Sequence, residues 1–317
     1  MTSAIEWTSS APIIQWLLDG DVSIQYQTWR DLLGEDRPDL QERILKEGWG
    51  AQFMKARHPE GHWGQGYYQP KWTSSHYSLL DIRNLCPVQD HPLIRESIQL
   101  ILDTRKSDDG GVNPGKTIEQ SDVCINGMML NISAYFRMDQ EDLTSMVDFL
   151  LKEHMADGGF NCRSNRSGAR HSSLHTTLSV MEGIHEYQRQ GYTYRLTELM
   201  DAYQASLEFI LLHQLYISDR TGAIIHPAFL RLPYPYRWKY DILRALDHFQ
   251  DAGIPWDDRM RPAMDVLLNK RRKDGTWPVQ AKYPGQVHFD MEKAGGPSRW
   301  NTLRALRVMK RYQPGFS

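Results

Sequence analysis

ADGGFNCRSNRSG (residues 156–168), followed closely by SLHTTLSVMEGI (residues 173–184), is the stretch that decides the fold. A glycine-rich turn gives way to a helix start, and the same order recurs along the chain. The loops HPEGHWGQGYYQP (58–70), SDDGGVNPGK (107–116), DRTGAIIHPAF (219–229) and KDGTWPVQAKYPG (273–285) show it again. The helices after them begin near WTSSHYSLLDI (72–82), SDVCINGMMLNI (121–132), RWKYDILRAL (237–246) and RWNTLRAL (299–306). An earlier copy, SIQYQTWRDLL (23–33), follows IIQWLLDGD (13–21), which makes six helix pairs. A self-similar period means supersecondary units that bury their apolar faces only against one another.

Between the loops the apolar spacing is helical. Leu143, Met146, Val147, Leu150 and Leu151 form one buried face, and Leu196, Leu199, Met200, Tyr203, Leu207, Ile210 and Leu211 another. Ile94, Ile98, Ile101 and Leu102 repeat the pattern, as do Met260, Met264, Leu267 and Leu268. The best strand signal is the short run at 223–229. One helix of each pair is charged, while the other carries small and polar residues such as Ser78, Gly127, Ser179 and Gly183. That asymmetry predicts an all-α, (α/α)6 toroid, a single domain over residues 1–317. Small residues let its inner helices approach closely around a central cavity.

Composition excludes other classes. Thirty-nine acids against 37 bases give a net charge of −2 and no electrostatic footprint for nucleic acid. No apolar run approaches the ~18–20 residues of a membrane span, so no integral membrane association is expected. The N-terminus lacks the basic and apolar regions of a signal peptide. Three cysteines are too few for a disulfide framework, and a cytoplasmic location is the expectation.

The DGG(V/F/W)-type loops at 109–112, 157–160 and 274–277, each leading into an inner helix, resemble the α/α toroid superfamily of terpenoid cyclases and protein prenyltransferase β-subunits. The likeness is sharper at three successive inner-helix starts. Prenyltransferases hold zinc through an Asp-x-Cys pair and a His one repeat later; Asp122-Val123-Cys124 and His175 stand at the matching places. The resemblance therefore implies Asp122, Cys124 and His175 as ligands of a zinc cofactor. It also implies His76 as a substrate-contacting residue, at the position of a diphosphate-binding His, and Lys116 as a basic residue preceding the Asp-x-Cys. Carboxylate, thiolate and imidazole suit zinc, and three protein ligands leave a fourth position for a thiolate or water. Departures narrow the chemistry. Glu119 replaces a second base, Leu174 an aromatic, and neither Asp-x-Asp-Asp nor Asp-Asp-x-x-Asp occurs. Prenyl transfer and squalene-type cyclisation are thus not the expected reactions.

Other candidates follow from residue type. Trp72, Tyr77, Trp238, Tyr240 and Trp300 fall near inner-helix starts, where aromatic faces line a substrate cavity. Asp241 and His76 are candidate general acid–base groups, and His171, one turn before His175, a candidate extra ligand or a surface residue. The primary expectation is a zinc-dependent enzyme acting on a small or apolar substrate, with any partner subunit left open. A second reading is a carbohydrate-active (α/α)6 barrel, hydrolase or lyase, with carboxylates drawn from Asp241, Asp81 and Glu182. A third is a non-catalytic toroid with a structural metal.

Overall fold

The computed structural model describes residues 7–115, 119–280 and 282–312, leaving aside the side chains of residues 164 and 166. Twelve α-helices of six residues or more occur in it, arranged as six pairs, and the π-helical stretch Thr28–Leu33 continues the second of them. The outer members are α1 (Pro12–Leu18), α3 (Gly48–Lys55), α5 (Pro92–Arg105), α7 (Gln140–Lys152), α9 (Leu196–Leu212) and α11 (Arg261–Asn269). The inner members are α2 (Val22–Gln27), α4 (Ser75–Leu85), α6 (Val123–Tyr135), α8 (Leu174–Arg189), α10 (Ile242–Asp251) and α12 (Arg299–Tyr312). Strand is confined, among the described residues, to Trp277–Pro278 paired antiparallel with Pro297–Ser298. The run at 223–229 is not a strand: it holds one bridge, between Ile217 and Ile224, and the 3₁₀ turn Pro227–Leu230.

Burial separates the two series. Twelve of the thirteen residues of α6 are buried, against five of fourteen in α5. Outer helices therefore bury one stripe, and inner helices are covered on every side. Small residues make the inner contacts close. A Cβ at Gly127 would lie 2.7 Å from the Val180 Cα, and one at Gly183 would lie 2.4 Å from the Gly127 carbonyl oxygen. Backbone meets backbone there, and nothing larger than glycine fits.

Polar side chains carry the circuit from one inner helix to the next. Gln27 on α2 donates to the Asn84 carbonyl of α4, Tyr135 on α6 donates to the Pro87 carbonyl just beyond α4, and Asn131 on α6 donates to the Glu182 carbonyl of α8. Arg244 of α10 is ion-paired to Glu182, and Arg304 of α12 to Asp247 of α10. Arg307 of α12 donates to the Gln27 side chain and so closes the ring.

Four of the six repeats enter their inner helices in the same way. Gly61, Gly110, Gly158 and Gly275 all adopt φ between 85° and 93°, a conformation costly for any residue with a Cβ. The chain then buries Trp63, Val112, Phe160 or Trp277. The backbone N–H of that residue donates to a side chain at the start of the following helix: Ser75, Asn126, Thr177 and Thr302 respectively. Asp109 and Asp157 add a second tie, accepting from the backbone and hydroxyl of Ser121 and Ser172 just before α6 and α8. The DGG sequence is thus a structural clasp. No helix among the described residues is long and apolar enough to cross a membrane.

Candidate functional site

The long loops lie at the N-terminal ends of the inner helices, and one cleft of about 530 Å³ opens there between α6 and α8. Its lining includes Tyr68, Lys71, Asp122, Cys124, Cys162, His175, Thr176 and Trp238. The register across repeats thus brings Asp122, Cys124 and His175 to one cleft. A second cleft of about 680 Å³, lined by His171, Phe209, Leu212, His213, Ile224 and Phe229, shares Ser173 and His175 with the first. The two spaces meet at His175.

His175 is held from behind. Its Nδ1 accepts the Tyr240 backbone N–H at 2.8 Å, and Phe229 and Trp238 contact its ring with centroids 5.1 Å away. Burial, then the positive charges of Lys239, Arg244 and His226, lower its pKa to about 4. The imidazole is neutral near pH 7, and its proton sits on Nε2 because Nδ1 is an acceptor. His175 therefore presents an N–H donor.

Cys124 occupies the second position of α6, where helix N–H groups lack intrahelical partners. Its N–H donates to the Cys162 sulfur at 3.0 Å, and the Thr176 hydroxyl approaches the same sulfur at 3.5 Å. A hydrogen bond from the Cys124 thiol lowers the Cys162 pKa against the effect of burial, while giving that bond, together with burial, raises Cys124. Asp122 is the N-cap residue of α6.

This donor set does not fit the expected zinc. Among the described residues no three His, Cys, Asp or Glu side chains come together as metal ligands. Coordination through Nε2 of His175 would also move its proton to Nδ1, where it would face the Tyr240 N–H, donor against donor. Cys124 meanwhile is engaged with Cys162.

The remaining polar groups point to a ligand of another kind. The Lys71 ammonium lies 5.0–5.9 Å from the ring centres of Tyr68, Trp72 and Trp238, and among the described residues it has no carboxylate within ion-pair distance. Burial lowers its pKa from the usual value. Tyr68 shares a 3.0 Å hydroxyl contact with Tyr77, and burial raises its pKa well above the phenol range. The Trp238 indole N–H is buried without a partner. Tyr68, Lys71 and Cys162 lie in loops or short turns, outside the helix starts that sequence reading favoured; the cysteine alone carried a signal, two residues beyond the buried Phe160.

Several expected residues sit elsewhere. His76 is fully buried among Tyr67, Tyr68 and Tyr77, with Nε2 unpartnered and its pKa lowered to about 3 by burial and Lys71. It does not line the cleft. Tyr77 and Tyr240 are core residues, the latter donating to the Leu215 carbonyl at 2.6 Å. Trp72 donates to the Pro284 carbonyl and borders a pocket of about 100 Å³ beneath residues 282–292. Trp300 stacks on Tyr234, with centroids 4.8 Å apart. Asp241 caps α10 through its Oδ1, while its buried Oδ2 has no partner; burial raises its pKa to about 6. Asp81 and Glu182 are committed to Arg237 and Arg244. His171 is exposed on the second cleft, and Lys116 lies outside the described residues.

Among the described residues the space within the ring is divided. Tyr236 stands in a separate interior cavity of about 310 Å³, Tyr234 and Arg237 border the pocket beneath residues 282–292, and Trp238 borders the cleft. The segment Tyr234–Trp238 therefore partitions the space inside the ring.

No family model and no curated protein matches this chain by sequence. Solved structures are similar. A polysaccharide lyase aligns with TM-score 0.52 at 12% identity, over 93% of this chain and 90% of its own. A glycosyl hydrolase of family 88 from Bacteroides vulgatus aligns with TM-score 0.49 at 14% identity, over 92% and 90%. A type II terpene cyclase from Scytonema follows with TM-score 0.33 at 14% identity, over 83% and 94%. Of these three, the lyase similarity is strong enough to carry an argument, and at this identity what it shows is the shared α/α toroid fold.

Proposed function

We propose that the cleft binds an acidic sugar chain and that the protein is a carbohydrate-active toroid enzyme acting by β-elimination. The observation that carries this reading is the composition of the cleft wall. A cation without a carboxylate partner among the described residues lies between aromatic faces, beside a neutral imidazole N–H. Aromatic faces suit the C–H faces of sugar rings, and the donors suit hydroxyl and carboxylate oxygens. The similarity in fold to a polysaccharide lyase supports it.

Elimination is favoured over hydrolysis by the count of carboxylates. Glycoside hydrolysis uses two flanking the scissile bond, and the lining of this cleft includes Asp122 alone. For β-elimination, Lys71 and the His175 Nε2–H hold the uronate carboxylate and stabilise charge that develops on it. Asp122 accepts the proton from the carbon next to that carboxylate. The Tyr68 hydroxyl, kept protonated by burial, gives its proton to the departing glycosidic oxygen as the carbon–carbon double bond forms. Incubation with uronate-containing polysaccharides and their neutral counterparts tests this. Ultraviolet absorbance of an unsaturated product from the acidic polymers alone is expected. New reducing ends without that absorbance would mean hydrolysis, and no change with any polymer would refute the reading.

A further inference from the structure

Two of the three cysteines meet in the cleft wall, and nothing in β-elimination uses them. The Cys124 N–H lies 3.0 Å from the Cys162 sulfur, so the Cys124 side chain starts one backbone atom away from that contact. Both side chains line the cleft, where a small reagent reaches them. The two belong to separate elements: Cys124 to the first turn of α6, Cys162 to the loop that follows α7. Cys86, the third, is buried at the C-terminal end of α4 and lines the interior cavity instead.

We propose that Cys124 and Cys162 form a redox-modification site, oxidised by a low-molecular-weight disulfide to an intramolecular bridge. The Cys162 thiol, held by the Cys124 N–H and the Thr176 hydroxyl, gives its proton to solvent and attacks one sulfur of the incoming disulfide. A mixed disulfide forms and one thiolate leaves. The Cys124 thiol gives its proton to solvent and attacks the Cys162 sulfur, expelling the second thiolate. Two protein thiols are oxidised by two electrons, and one disulfide becomes two thiols. The bridge ties the loop bearing Phe160 to the first turn of α6 and removes both thiols from the cleft wall.

The test uses full-length protein, fully reduced and then equilibrated with excess glutathione disulfide, followed by alkylation and peptide mapping. The expected result is a single alkylated cysteine, Cys86, and a cross-link between the tryptic peptides 117–137 and 153–163. Dithiothreitol should restore both thiols. Cys86→Ser should behave as the wild type, and Cys124→Ser should stop at a glutathione adduct on Cys162. Three free thiols after oxidation, a persistent adduct on the wild type, or a bridge involving Cys86 would each overturn the proposal. If a serine variant fails to fold, the wild-type map alone decides.

Discussion

The toroid carries polar groups at two levels, and the two differ in what those groups have left to give. The interior cavity, towards the C-terminal halves of the inner helices, is lined by Arg30, Arg83, Arg189, Arg244, Arg304 and Arg307 among others. Every one of these arginines is ion-paired, to Asp31, Glu186, Asp251, Glu182 or Asp247. Tyr236 lies between the guanidinium groups of Arg244 and Arg304, and its hydroxyl donates to Asn84. The cleft at the opposite ends of the helices has far fewer charges, but the Lys71 ammonium and the His175 imidazole line its wall. Charge density is highest where each arginine already has a carboxylate. The cleft instead sets a cation that has no carboxylate within ion-pair distance among the described residues beside aromatic faces.

The largest effect should come from breaking the interior network. Arg244 reaches both carboxylate oxygens of Glu182, the Ser179 hydroxyl and the Lys239 carbonyl. Arg244→Ala leaves Glu182 buried without its partner, and urea denaturation should show a loss of about 3–5 kcal/mol. Pairing Arg244→Met with Glu182→Leu should recover most of it. A loss below about 1 kcal/mol in the single variant would show that the interior is not the structural half of the comparison.

The cleft should respond in the opposite sense. Tyr68→Phe removes one hydroxyl, whose protein partner is Tyr77, so stability should fall by about 1 kcal/mol at most. Turnover on an acidic polymer should fall by roughly 10²–10⁴ if that hydroxyl is the proton donor. An unchanged kcat would remove Tyr68 from the reaction.

Acid should act through the imidazoles that burial desolvates at both levels, His175 in the cleft and His248 in the interior. His248 lines the interior cavity, and burial lowers its pKa from 6.5 to about 4. The unfolded chain therefore binds more protons than the folded one between those values. Stability is fully present above about pH 6.5 and drains away as the pH falls towards 4, by roughly 2–3 kcal/mol for this residue. Asp241 runs the other way. Its folded pKa is raised from 3.8 to about 6, so its contribution grows as the pH falls through that range. Urea midpoints across this interval should fall with pH in the wild type and less steeply in His248→Gln. Equal slopes would exclude His248 as the cause.

The smallest effect separates ligand recognition from folding. Trp238→Phe shortens the aromatic face that packs on His175 and lies under Lys71, so stability should fall by about 1 kcal/mol at most. Calorimetry should show binding of an acidic oligosaccharide weakened by roughly fivefold, the value of one aromatic contact. Unaltered affinity would mean that this ring does not meet the ligand.

The ring was legible because its signals are local and repeated. Glycine turns, helical periodicity and small residues at 127, 179 and 183 each report on their own surroundings, and six copies reinforce one another. The juxtaposition of Asp122, Cys124 and His175 followed from register between neighbouring repeats. What that register does not encode is the path of the loops. Nothing local to residues 231–241 says that this stretch enters the ring and supplies Tyr240 as a donor to His175, the contact that fixes the imidazole tautomer. Nor does spacing show that Cys162 returns to the first turn of α6, or that Lys71 reaches Trp238. His76 and Asp241 were attractive as titratable residues at helix starts, but burial there serves packing and capping.

The clasps that begin four of the inner helices have a consequence for how such a ring changes over time. The buried residue and the helical side chain that receives its N–H are separated by 12, 14, 17 and 25 positions in the four repeats, yet the hydrogen bond is the same. The chain between these two posts is free to lengthen, because closing a longer loop costs only slightly more entropy. The scaffold therefore tolerates exchange of whole loops as cassettes, each hung on fixed points and varied without renegotiating the helices. A graft that replaces residues 161–172 while keeping Phe160 and Thr177 would rebuild the chemistry of the cleft on an unaltered frame.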